Sequence, residues 1–174
     1  MTYDAFFKVV IFGDSGSGKT TLTRRYVSGT FIQDSQMTIG VDFEYKDITI
    51  DGIYVKLCIW DFGGEERFRF ILPKYISGAM GGILMYDITN QSSLAHVHEW
   101  LSVVKETDES IPIILVGGKL DLDTSREVSY KDGSMVAKAL NLEHFMECSS
   151  KTGENVEKIF EKLTEMMAKI ALLY

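Results

Sequence analysis

Gly13, Asp14, Ser15, Gly16, Ser17, Gly18, Lys19 and Thr20 follow an apolar stretch at 6–12 and lead into a helical pattern at 20–27. Residues of these types at this spacing hold phosphate. Glycines let the chain turn through positive φ and bring successive N–H groups to an anion, while the N-terminus of the following helix adds partial positive charge. Lys19 would reach the β and γ phosphates, and the Thr20 hydroxyl would ligate Mg²⁺. The pattern GxxxxGK[ST] fixes four positions in eight, so an ordinary glycine-rich turn is the weaker explanation. A second candidate is Asp61, which ends an apolar run at 53–61 and precedes Phe62, Gly63, Gly64, Glu65 and Glu66. An aspartate there is the expected holder of the Mg²⁺ shell, and the glycine pair lets a backbone N–H swing toward a γ-phosphate. Alone, Asp61 reads equally well as a strand ending in an Asp turn; its place two strands after the phosphate loop favours the metal role. These two segments leave a kinase, an ATPase and a GTPase open.

The elements that must position these residues are readable from periodicity. Strand signals recur at 6–12, 41–50, 53–61, 82–87, 113–117 and 144–148, several of them continuous apolar runs of a sheet covered on both faces. Helical spacing fills 20–27, 92–107, 130–140 and 156–171, as in Leu94, Val97, Leu101 and Val104. Asp51 and Gly52 between two alternating runs predict a hairpin, making 41–50 the antiparallel partner of 53–61. The remaining strand and helix alternation predicts an α/β fold with a six-stranded, mostly parallel sheet, one antiparallel strand and helices on both faces. Ligands of such sheets bind at the carboxyl ends of the strands. Pro73 and Pro112 fall at element edges, and no repeat, low-complexity segment or linker interrupts the chain.

A length of 174 residues suits one domain spanning 1–174. The 18 basic and 25 acidic residues give a formal charge of −7, which offers no field for nucleic acid or an anionic membrane surface. Cys58 and Cys148 sit in apolar strand-like segments, as reduced core residues of a cytoplasmic protein. No apolar run reaches membrane-spanning length, and the chain ends Ala171, Leu172, Leu173, Tyr174 without a lipidatable cysteine, so no membrane anchor is expected in it. His96 and His98 lie on one helical stretch with neither carboxylate nor cysteine at ligand spacing, and are expected on a solvated or partner-facing surface with His144 equally unremarkable. The terminal pattern of Met166, Met167, Ile170 and Leu173 reads as a core-covering amphipathic helix.

Across essentially its whole length the chain resembles the Ras superfamily of small GTPases, and within it the Rab branch. Ile39 to Phe43 is similar to the Rab segment after switch I, Lys56 to Gly64 to the strand entering switch II, and Glu65 to Arg69 to its continuation. Tyr75 to Gly81 and Tyr86 to Asn90 agree as well. The resemblance implies a P-loop small G domain that binds GTP and GDP with Mg²⁺. It assigns Ser15, Gly16, Ser17, Gly18, Lys19, Thr20 and Thr21 to the phosphates, and Thr20, Thr38 and Asp61 to the metal. Phe31 would pack against the guanine. Asp121, following Gly117, Gly118, Lys119 and Leu120, would accept from the guanine ring N–H and amine. Lys119 would lie along the base and bridge toward the phosphate loop, and Ser149, Ser150 and Lys151 would complete the base loop. Glu65, Lys19 and Gly64 would serve catalysis. The family implies effectors, exchange factors and GTPase-activating proteins at switches I and II, a monomer, and order in 31–40 and 62–76 that changes with the nucleotide. Phe43, Trp60 and Tyr75 match an aromatic set that Rab proteins present to effectors, although core packing explains them equally well. Rab proteins end in a flexible prenylated segment, so this chain either lost one or works unanchored.

Three departures make it a divergent member, as from an archaeal lineage. Gly118 stands where the family has an asparagine that ties the base loop to the phosphate loop, a loss of about 1 to 3 kcal/mol of nucleotide affinity. Glu65 replaces the glutamine that orients the attacking water; a carboxylate accepts from water but donates nothing, and its charge beside a γ-phosphate is unfavourable unless compensated. Phe62 and Gly63 replace threonine and alanine, so switch II is expected to pack differently. No arginine finger is assigned in cis. The expected function is a Mg²⁺-dependent GTP-binding switch of signalling or trafficking type with slow hydrolysis; the alternative is a nucleotide-gated interaction module with negligible turnover. A P-loop kinase or ATPase is a third reading, with Asp121 against it.

Overall fold

The computed structural model describes residues 2–33 and 37–172. The part of the expected switch segment at 34–36, and Leu173 of the terminal pattern, lie outside them. Six strands form one sheet in the order β2-β3-β1-β4-β5-β6. They are β1 (Ala5–Gly13), β2 (Val41–Ile50), β3 (Ile53–Phe62), β4 (Gly81–Asp87), β5 (Ile113–Gly118) and β6 (His144–Glu147). β1 pairs in parallel with β3 and β4, β4 with β5, and β5 with β6. β2 is antiparallel to β3 from Val41 opposite Phe62 to Ile50 opposite Ile53. Asp51 (φ 49°) and Gly52 (φ 81°) close that hairpin with the two positive φ values that a two-residue turn needs.

Helices cover both faces because the strands are apolar on both. Val9 and Ile11 point to one side and Val10 and Phe12 to the other, the alternation of an extended chain. On the first side lie α1 (Lys19–Ser28) and α6 (Val156–Leu172), through Leu22, Tyr26, Ile159, Phe160 and Leu163. On the second lie α2 (Leu72–Ile76), α4 (Val97–Thr107) and α5 (Tyr130–Ala139), through Leu72, Trp100, Leu101 and Ala137. Cys58 and Cys148 are both buried and unbridged, and no described helix is long and apolar enough to cross a membrane.

The single helix expected over 92–107 is two: α3 (Gln91–Ala95) and α4, joined at His96. Asn90 caps α3 by accepting from Ser92 N, and His96 at φ −80°, ψ −9° flattens the chain toward a 3-10 turn before α4 resumes. Short 3-10 turns at Glu66–Ile71 and Leu120–Ser125 fill segments whose sequence carried no helical period, the first running into α2 with Pro73 in its opening turn.

Candidate functional site

The phosphate loop leaves β1 at Gly13 and enters α1 at Gly18, whose φ of 97° and ψ of 21° are left-handed. No side chain caps α1, so its first-turn N–H groups are not claimed by the helix's own cap. The loop is held from inside by one carbonyl: Asp14 O accepts from Ser17 N at 3.3 Å, from Ser17 Oγ at 2.8 Å and from Lys19 Nζ at 2.7 Å. Burial lowers the Lys19 pKa to about 8, although Asp61 and Asp14 pull the other way. The Asp14 carboxylate faces outward and is gripped by α4, taking Trp100 Nε1 at 2.7 Å on Oδ1 and His96 Nδ1 at 2.6 Å on Oδ2. His96 is therefore a loop contact as well as the half-exposed surface residue expected from sequence, and the bond to Asp14 raises its pKa.

Beside the loop three oxygens converge. Thr20 Oγ1 lies 2.5 Å from Asp61 Oδ2 and 2.6 Å from Thr38 Oγ1, and Thr38 Oγ1 is 3.5 Å from the same carboxylate oxygen. Asp61 is 2% exposed, and among the described residues its Oδ1 has no hydrogen-bond partner. Burial raises the Asp61 pKa against the opposing pull of Thr20 and Lys19. One buried carboxylate with a spare oxygen next to two hydroxyls is a donor set that fits Mg²⁺, which takes few protein ligands and keeps water and substrate oxygens.

A cavity of about 450 Å³ opens over these groups. Residues 15–21, Thr38 and Gly64 line its phosphate end, and Phe31, Lys119, Asp121, Ser150 and Lys151 line the other. Of the residues singled out from sequence, Asp61, Glu65 and Ser149 do not line it. Asp61 stands behind Thr20 and Thr38. Ser149, fully buried, donates from Oγ to Asp121 Oδ1 at 2.7 Å and so aims that carboxylate. Glu65 lies in an adjoining pocket with Arg69, His96 and Glu99, its carboxylate gripped by the Arg67 guanidinium through Nε and through Nη2 at 3.2 Å. Gly64 O accepts from Ser15 N at 3.0 Å, and a side chain at 64 would run into the backbone of Gly13, Asp14 and Ser15. The N–H that an anion would use at Ser15 thus points here to switch II.

At the base end Lys119 adopts φ 68°, and its ammonium bonds Asp87 Oδ2 at 2.5 Å instead of reaching the phosphate loop. Leu120 N donates to Cys148 O at 2.9 Å, tying the loop after β5 to the loop after β6. Asp87 escaped sequence reasoning, as did the Asp14 contacts of Trp100 and His96. An aspartate closing an apolar run in the segment Tyr86 to Asn90 was the one available signal, and it does not name its partner.

Residues 8–169 match the Ras family. The chain is 44% identical over 160 residues to the bovine (Bos taurus) protein called Ras-related protein Rab-4A, covering 91% of this chain and 73% of that one. It is 41% identical over 167 residues to Ras-related protein Rab-1 of Theileria parva, covering 95% and 76%. The GTP-binding protein ypt2 of Schizosaccharomyces pombe is 40% identical over 169 residues, covering 97% and 84%.

Proposed function

The chain belongs to the Ras family, and from that membership we propose that it is a Mg²⁺-dependent, Rab-like switch that binds GTP, hydrolyses it slowly to GDP and signals by conformation in trafficking. The observation that carries the reading is the cavity that joins Lys19 and the loop amides at one end to Asp121 at the other, with Asp61 Oδ1, beside Thr20 and Thr38, lacking a partner among the described residues. Asp121, aimed by Ser149, suits the paired donors on one edge of guanine. Lys19 would exchange the Asp14 carbonyl for phosphate oxygens, and the loop N–H groups would bind charge as it develops. Thr20, Thr38 and Asp61 would hold Mg²⁺, which supplies Lewis-acid neutralisation of phosphate charge. In the hydrolytic step water attacks the γ-phosphorus, the bond to the β–γ bridging oxygen breaks, GDP departs with the electron pair and the water proton ends on inorganic phosphate. Proteins that sense the state would meet 31–40 and 62–76 and the aromatic trio Phe43, Trp60 and Tyr75, in which Phe43 stands edge-on to Trp60 at 4.6 Å.

The Arg67 grip on Glu65 favours a second reading, nucleotide-gated binding with negligible turnover. One experiment addresses both. Purified protein is loaded with GTP and Mg²⁺, with ATP as competitor, and phosphate release is followed in a single turnover. Preferential GTP binding with slow release is expected; GTP binding without release above buffer leaves only the second reading, and ATP competing as well as GTP overturns both.

A further inference from the structure

Met85 of β4 reaches the cavity, whose other large apolar side chains are Phe31, Met37 and Leu122. Its backbone sits between Gly13 at the end of β1 and Val116 of β5. Its side chain is 1% exposed and belongs to the apolar cluster under α1 and α6. The terminal methyl, Cε, ends in the gap between the two halves of the site. A Cβ placed on Gly118 would stand 3.0 Å from that methyl and 2.8 Å from the Ser17 carbonyl, and a Cβ placed on Gly18 would stand 4.0 Å from it. The phosphate loop and the loop after β5 therefore approach until no side chain fits at 118. The Met85 methyl packs beside that close approach.

This has a mechanical consequence. With glycine at 118 no side chain there hydrogen-bonds the phosphate loop, and beyond the direct approach of Gly118 to the Ser17 carbonyl the packing is dispersion through the methionine. Methionine is unbranched and polarisable, so it keeps contact while the loops shift by small amounts. A shorter side chain would leave a gap, and the loops would lose their common reference. A larger residue at 118 would meet Cε and the Ser17 carbonyl and push the loops apart. Resting on the reading of this cavity as a guanine-nucleotide site, we propose that Met85 is a positioning residue that sets the phosphate loop against the base loop, and that Met85 and Gly118 are a matched pair in which the size of one fixes the size of the other.

A double-mutant cycle tests this. GDP dissociation is measured by displacement of a fluorescent GDP analogue, at one temperature well below unfolding, for the wild type, Met85→Val, Gly118→Ala and the double variant. Valine keeps the strand propensity of β4 while withdrawing the methyl. Each single change is expected to speed dissociation about tenfold, the double variant to fall well short of the product of the two, and Met85→Leu to restore most of what Met85→Val loses. In uniformly ¹³C-methyl-methionine protein the Met85 methyl resonance is expected to move when GDP binds. Multiplicative effects of the two changes overturn the pairing. A GDP dissociation rate for Met85→Val equal to that of the wild type, with only a lower Tm, overturns the positioning role. If the wild type binds no guanine nucleotide, the site reading fails and this proposal with it.

Discussion

On the proposed reading Glu65 governs turnover, because its charge and its neighbour pull it in different directions. Its carboxylate is 18% exposed and held by Arg67, whose side chain is 68% exposed. A pair this open to solvent contributes little to stability, under about 1 kcal/mol. Its importance is chemical: Arg67 supplies the compensation that a carboxylate near a γ-phosphate needs, and in doing so keeps it outside the nucleotide cavity. Glu65→Gln removes the charge and adds a donor, so single-turnover GTP hydrolysis should accelerate by about tenfold or more with the Tm almost unchanged; an unchanged rate would remove Glu65 from the reaction. The phosphate loop and Asp61 were readable from local spacing, whereas Thr38 and Asp121 were assigned only through the resemblance to the Ras superfamily. Asp87 for Lys119 and Asp14 for His96 were legible in neither way, since those partners lie 32 and 82 positions apart and only the folded sheet brings them together.

The same limit applies to elements. All six strands and the hairpin turn were legible, for a buried parallel strand writes itself as an apolar run. The break between α3 and α4 was not, because apolar spacing continues through it and the chain merely turns at His96, at φ −80° and ψ −9°. That break matters for what α4 grips. His96, Glu99 and Trp100 share one face at helical spacing: His96 and Trp100 hold Asp14, while Arg69 of switch II donates to Glu99 Oε2 at 2.7 Å and lies 4.6 Å from the Trp100 ring centre. α4 thus touches the phosphate loop and switch II at once. His96 makes this bridge depend on pH. The hydrogen bond to Asp14 comes first among the causes that raise its pKa, the charges of Asp14 and Glu99 add to it, and burial and Arg69 oppose it. A histidine whose pKa is raised by folding stabilises the fold fully below its ordinary value, about 6.5, and that contribution is lost as pH rises through the raised value. The Tm difference between wild type and His96→Gln should therefore be largest below about pH 6.5 and shrink above it; a difference independent of pH would mean the contact is carried by the neutral ring.

At the scale of the whole molecule, the proposed function requires nucleotide state to travel from a cavity at the strand ends to a surface on the β2 and β3 side of the sheet. The route is short. Gly63 N donates to Gly40 O at 2.7 Å, which closes the segment after Thr38 onto the segment after Asp61. Beyond it, Phe62 is fully buried against Tyr75 at 6.1 Å and Trp100 at 6.4 Å between ring centres. Tyr75 in turn meets Trp60 at 5.6 Å, beside half-exposed Phe43. Phe62 therefore makes switch II part of the core, and Gly63 makes it part of switch I. The second of these is sterically exacting: a Cβ on Gly63 would stand 2.5 Å from the Thr38 carbonyl and 3.0 Å from the Gly40 carbonyl, contacts that backbone has to move to relieve. In this backbone even Gly63→Ala, which puts back the residue that Rab proteins carry, should then displace Thr38 from Thr20 and Asp61. A nucleotide whose terminal phosphate and metal need Thr38 would suffer, and one that needs only the phosphate loop would not. The expected result is a fall of about tenfold in GTP affinity relative to GDP, near 1.4 kcal/mol, with GDP affinity and fold retained. Measured by competition in the presence of Mg²⁺, equal weakening of both nucleotides would show that the two switches move independently, and the conformational signal would have to leave the site by α4 instead.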